Sequence, residues 1–437
     1  MYIEEVSKIA TQLGGFILCF GLVSYFVKER LRVSEALIST LVGIILGPKV
    51  LKTLDPTLWG STDELIHGFT RIVMFSGVTL PNLSSKRKEI FSSSLNTRNE
   101  LHVAHKRIMI FTIVLSKAES LVLASCVTST DPILANSVVK GKFAEKHVPP
   151  HIRNLLSAES GVTDGMAEQF LYLSIYLMDL PFGQAIGQWI LIPILYKIGL
   201  SIVIGIFTGY IARKLLYLSE KNRLIDKESF LVFAIALALF LTGFVSIVGG
   251  SDLLACFIAG TSFTWDDWFR RETEEAHLQE VIDMLLNLAV FALIGSLIPW
   301  KSFVDVIVWW RLLILSIIIL VFRRMPAVFV LSKMNLIPAV KTYREGPIGV
   351  GAIYCSTLAK LELDSGDSHK ALIVFFLVFS SIMVHGITIP LVMISKRINT
   401  RTFTAGSVYN QVSRLPVIRI GQDVFFTTDD KGNILPS

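Results

Sequence analysis

Apolar runs of about 17–25 residues recur along this chain of 437, each long enough as a helix to cross roughly 30 Å of hydrocarbon. No other feature restricts the fold as much. Charged residues make up only 17% of the chain and hydrophobic ones 52%, with a mean hydropathy of +0.60, whereas a soluble domain carries about 25% charge. The expected fold class is an all-α polytopic membrane protein. The first apolar run, about 9–27, follows an acidic start and leads into a basic loop, so it reads as a retained helix and not a cleaved signal. The net charge of +6 is spread among the connections, which argues against a nucleic-acid surface. Cys19, Cys126, Cys256 and Cys355 sit in apolar runs without metal spacing. There is no Walker-type run, zinc-ligand array or nucleophile elbow, so neither an enzyme nor a resident cofactor is expected.

Loop charge supplies the topology. The connections 28–32, 86–107, 140–153, 213–227, 333–344 and 396–401 are basic and should be cytoplasmic. Those at 52–64, 179–188, 249–252, 299–305 and 362–367 are neutral or acidic and should face outward. Threading the chain between the two sides gives crossings near 9–27, 34–51, 66–81, 117–139, 154–178, 187–212, 228–248, 252–264, 281–298, 304–333, 346–361 and 371–394, about twelve segments. The domain reading is a transmembrane unit over 1–395 and a short cytoplasmic tail over 396–437. One crossing is missing between two basic loops. The only apolar run available there, Ile108–Leu115, would cover about 12 Å as a helix, so 82–116 reads as divergent and incomplete.

Several of these segments carry groups that a bilayer penalises. Asp131 lies in Thr-Ser-Thr-Asp-Pro (128–132) and Asp164 in Ser-Ala-Glu-Ser-Gly-Val-Thr-Asp-Gly (157–165). An ionisable side chain at membrane depth costs about 2.5–3.5 kcal/mol on insertion scales, so it needs an ion, a proton path or an opposite charge. Helix breakers beside such carboxylates are how discontinuous helices expose backbone oxygens to a cation. Pro132 frees an upstream carbonyl, and Thr128, Ser129 and Thr130 add hydroxyls suited to a hard cation. The alternative is that Asp131 only caps a helix break. Helical spacing puts Ser160 with Asp164 on one face and Glu159 with Thr163 on a neighbouring one. Arg323 and Arg324 fall near the middle of an apolar stretch and call for a carboxylate partner, Glu159 first and Asp131 second, unless they mark an early helix end. His385 suits either a proton sensor or a neutral histidine bonded to its own helix. Asp252, Asp266 and Asp267 flank 253–264 and are expected at its two mouths, as a cation-attracting vestibule or as solvated helix ends.

The runs 128–149 and 155–165, together with 251–267, Ile-Pro-Trp (298–300), Arg-Arg-Met-Pro (323–326), 346–354 and Val-His-Gly (384–386), closely resemble the fungal plasma-membrane sodium/proton antiporters over most of 10–395. The resemblance implies a cation/proton antiporter fold of inverted repeats with crossed discontinuous helices, a moving core and a dimerisation domain, hence a homodimer in the plasma membrane. It implies that Asp164 binds the sodium ion (or lithium or potassium) and the proton alternately. Thr130 and Asp131 would help form the site, Ser160 would contribute an oxygen, and Glu159 would pair with Arg323 or Arg324.

The chain also departs from that pattern. Thr163 stands where the family has Asn, keeping a hydroxyl but losing the amide's dual capacity. Ala167-Glu168-Gln169-Phe170 replaces a more apolar stretch containing proline and adds an acid one turn beyond Asp164. Thr79-Leu80-Pro81 replaces a triplet beginning with glutamate. A full apolar helix is replaced by polar 82–107, and the chain is several residues short at 345–346. Two readings therefore stand: an exporter of cytoplasmic sodium in exchange for external protons, or a transport-incompetent homologue with a structural or regulatory role. An intramembrane aspartyl protease would also use paired acids, but these have cation-site surroundings and a matched arginine.

Overall fold

Where lipid surrounds the protein, helices associate through close backbone approach at small residues rather than through expulsion of water. The computed structural model describes residues 2–25, 27, 33–56, 62–84, 118–129, 131, 150–266, 268–269, 278–305, 309–322, 347–363 and 370–387. Every regular element among them is helical. In chain order they are α1 (Tyr2–Tyr25), α2 (Glu35–Leu46), α3 (Thr62–Ser84), α4 (Ala118–Thr128), α5 (Pro150–Asp179), α6 (Phe182–Lys221), α7 (Lys227–Val248), α8 (Asp252–Phe263), α9 (Leu278–Ser296), α10 (Trp300–Asp305), α11 (Trp309–Phe322), α12 (Val350–Leu363) and α13 (Lys370–Ile387). Residues 85–117, which hold most of the divergent 82–116, and residues 388–437, which include the whole tail 396–437, lie outside the described residues.

Glycine sets the closest contacts. A Cβ at Gly43 of α2 would run into the backbone of Ala292 on α9, and one at Gly295 of α9 into the backbone of Thr40. At Gly205 of α6 a Cβ would stand 2.7 Å from the Ala255 carbonyl of α8. These positions let α2 lie directly on α9 and α6 on α8. Around α8 the interior closes: Ala255, Cys256, Ala259 and Phe263 are fully buried, with α3, α5 and α7 packed beside it. Large apolar side chains point outward on α6 and α7, among them Leu191, Val203, Phe207 and Ile247, as lipid-facing surfaces require.

One connection differs from the reading of loop charge. Residues 179–188, expected as an outward loop, contain only a short break at Leu180-Pro181, and helix resumes at Phe182. It then runs 40 residues to Lys221, longer than a single hydrocarbon crossing requires. The expectation rested on the lack of basic residues in 179–188, but the residues after Pro181 are helical even with Gly183 and Gly187 among them. Pro193 has no amide hydrogen and is accommodated by a wider π-helical segment, Ile190–Ile198, inside α6.

Candidate functional site

Two non-helical stretches meet in the interior. α4 ends at Thr128, and Ser129 and Asp131 are non-helical; residues 347–349 are also non-helical and lead into α12. The Asp131 amide donates to the Pro347 carbonyl at 3.0 Å. In return the Val350 amide, at the first turn of α12, donates to Asp131 Oδ2 at 3.2 Å. The carboxylate thereby satisfies an orphan donor and sits at the positive end of the α12 dipole. Of the two readings of Asp131, capping is the one this geometry displays directly. Its complete burial (0% exposed) also puts it among the oxygens at the break.

Asp164 reaches the same place from the middle of α5 and is 1% exposed. The Ser129 hydroxyl donates to Asp164 Oδ1. The α12 entrance approaches closely because it carries glycine: a Cβ at Gly349 would overlap the Asp131 carboxylate, and one at Gly351 would overlap Ser129 Oγ and lie 3.1 Å from Asp164 Oδ1. Thus α4, α5 and α12 bring two buried carboxylates, a hydroxyl, the C-terminal end of one helix and the N-terminal end of another together. Such a group of hard oxygens can hold a small monovalent cation, and either carboxylate can hold a proton.

The other expected residues are distributed as follows. Thr163 is buried beside Asp164 on α5. Glu159 and Ser160 lie on the α5 backbone one turn earlier, with side chains outside the described residues. Thr130, Asp267, Arg323 and Arg324 also lie outside them, and with them the expected arginine pairing of Glu159. His385 is half-buried on α13; its Nδ1 lies 2.9 Å from the Ser381 carbonyl and 3.3 Å from Ser381 Oγ. Ser381 Oγ in turn accepts from the Ile348 amide at 2.8 Å, so the histidine belongs to the support of the 347–349 break.

Asp252 is not at an open mouth. It is 6% exposed and forms an ion pair with Arg71 of α3, and Arg71 Nη2 also donates to the Thr242 carbonyl at 3.1 Å. This burial and pairing place Asp252 in the interior and not at a vestibule. Asp266 is at the surface, in a bidentate pair with Arg213.

Sequence reasoning did not single out Arg71, although an arginine between Thr70 and Ile72 in an apolar helix is the same signal that drew notice to Arg323 and Arg324. Nor did it place His67, whose ring stacks on Tyr354 at 4.7 Å and whose Nδ1 lies 3.3 Å from Thr357 Oγ1. No periodicity predicts those cross-helix contacts.

Residues 106–395 match the transmembrane sodium/hydrogen exchanger family. An Na(+)/H(+) antiporter of Schizosaccharomyces pombe is 34% identical over 90% of this chain and 91% of its own length. The chain belongs to the sodium/hydrogen exchanger family. Another protein of that yeast, a probable Na(+)/H(+) antiporter, is 41% identical over 94% of this chain and 59% of its own. The exchanger chain spans between 45% and 59% of the length of three fungal relatives that it matches at 37–41% identity. In fold it is similar to the sodium proton antiporter MjNhaP1 from Methanocaldococcus jannaschii, with a TM-score of 0.65 at 18% identity, covering 87% of this chain and 96% of that one. It is therefore a multi-pass membrane protein with the all-helical cation/proton antiporter fold.

Proposed function

We propose that this exchanger carries sodium, and by the same chemistry lithium or potassium, out of the cytoplasm in exchange for external protons, with Asp164 as the group for which the two ions compete. The observation that carries this reading is the burial of Asp164 against Ser129 where the end of α4 meets the start of α12, which Asp131 caps. A carboxylate at that depth must be neutralised. A proton does so and removes the negative charge that attracts the cation; a bound cation does so and displaces the proton. Each ion therefore leaves only when the other replaces it, and exchange follows if the site opens alternately to the two sides.

Around Asp164, the remaining oxygens complete the shell: Thr130, Thr163 and Ser160 as hydroxyl ligands, and Asp131 both as a second acid and as the cap that fixes the α12 entrance. Glu159 pairs with Arg323 or Arg324 and holds α5 against the neighbouring helix. The functional unit is a homodimer in the plasma membrane, and Asp266 and Asp267 draw cations to one mouth. The names of the fungal relatives, all Na(+)/H(+) antiporters, agree with sodium as the substrate.

The test is sodium-driven proton movement in proteoliposomes containing the purified chain. Exchange that is present in the parent and absent in Asp164→Asn supports the reading; exchange retained by Asp164→Asn removes this aspartate from the mechanism.

A further inference from the structure

One turn beyond Asp164 along α5, the chain buries a second acid, Glu168, which is 4% exposed. Residues four apart on a helix share a face, with Cβ atoms about 6 Å apart. Glu168 Oε2 accepts from Ser251 Oγ at 2.9 Å, and the Ser251 amide is held by Ser201 Oγ of α6 at 2.8 Å. Asp252 of α8, Arg71 of α3 and Lys197 of α6 lie within electrostatic range of Glu168, as do Tyr172 on α5 and Tyr354 and Cys355 on α12. Arg71 is taken by Asp252, and Lys197 lies 3.7 Å above the ring of Tyr172. Among the described residues, no cation stands within ion-pairing distance of Glu168. Its neighbour Gln169 is fully buried, and neither polar atom of the Gln169 side-chain amide has a hydrogen-bond partner among those residues. Buried polar groups of this kind are served by water.

We propose that Glu168 is a second proton-binding carboxylate of the transport core, loaded and unloaded together with Asp164 on the shared helix. A proton is the ligand, not a metal cation, because the guanidinium of Arg71 and the ammonium of Lys197 already occupy the neighbourhood with positive charge. Ser251 marks the acceptor oxygen, and the Gln169 amide marks a polar break in the apolar packing through which the proton can pass. The inference rests on the exchange reading and adds a second titrating group to it.

The experiment compares the pH profile of sodium-driven exchange in proteoliposomes for the parent, Glu168→Gln and Ser251→Ala, with infrared difference spectra of the purified proteins in detergent. Glu168→Gln should move the midpoint by about one pH unit or more, a tenfold change in proton occupancy, and should abolish one protonated-carboxyl band. Ser251→Ala, which keeps the acid but removes its donor, should move the midpoint to the alkaline side; it also carries the test if Glu168→Gln does not fold. Profiles that superimpose for the variants, or the absence of any such band assigned to Glu168, would overturn the proposal. If the parent itself does not exchange, the exchange reading fails alone, and the infrared band still decides Glu168.

Discussion

Asp131 and Val350 lie 219 residues apart, yet the carboxylate of the first accepts the backbone amide of the second at 3.2 Å. That bond, with the return bond from the Asp131 amide to Pro347, ties the non-helical stretch after α4 to the one before α12. Each stretch therefore satisfies a backbone group of the other, and residues that permit the close approach should be intolerant of change.

Gly349→Ala and Gly351→Ala test this directly. Each methyl would collide with the Asp131 carboxylate or with Ser129 Oγ, and overpacking of this kind costs about 1–3 kcal/mol. Thermal unfolding in detergent should show both variants destabilised. Gly243→Ala in α7, where an added Cβ meets nothing within 4 Å, should be neutral or stabilising by roughly 0.5–1 kcal/mol.

The Arg71–Asp252 pair should be more costly to break than a surface pair. Removing one partner of a buried ion pair costs roughly 3–5 kcal/mol because the other charge is stranded. Arg71 is partly accessible at 22%, which puts Asp252→Asn and Arg71→Met toward the lower end of that range. A double variant that removes both charges should recover much of the loss in the same melting experiment.

Ser381 supports the break from the opposite side. Ser381→Ala leaves the fully buried Ile348 amide without its acceptor and removes one contact of His385. An unsatisfied buried donor costs about 1–3 kcal/mol. Reduced thermal stability, with a larger loss of exchange than His385→Ala produces, would show that the serine and not the ring holds the backbone.

Ser129→Ala removes the hydroxyl that meets Asp164. The expected result is a weakened apparent affinity for sodium, about tenfold for the loss of one charge-assisted bond of about 1.4 kcal/mol, with the maximal rate less affected. Exchange rates measured against sodium concentration separate the two.

The architecture was legible because lipid imposes simple rules. Apolar length located most helices, and Asp131 and Asp164 stood out because a bilayer penalises carboxylates in such runs. Residues 347–349, inside the expected crossing 346–361, are non-helical and lead into α12. Less legible were relationships that depend on which helix lies beside which. Asp252 sits at a helix start, where sequence alone favours solvent, but Arg71 arrives from α3 and buries it. Likewise the lack of basic residues in 179–188 suggested a connection there, yet only Leu180-Pro181 interrupts the helix before α6. The part played by Ser129 was one of three equivalent hydroxyls in sequence and became distinct only through contact with Asp164.

The central claim is competition between sodium and a proton for Asp164. The most direct measurement is sodium-driven proton flux in proteoliposomes reconstituted with the parent and with Asp164→Asn at equal, monodisperse protein. The account predicts flux in the parent that rises with sodium and falls as added protons compete, and none above empty vesicles in the variant. Flux in Asp164→Asn comparable to the parent would contradict it.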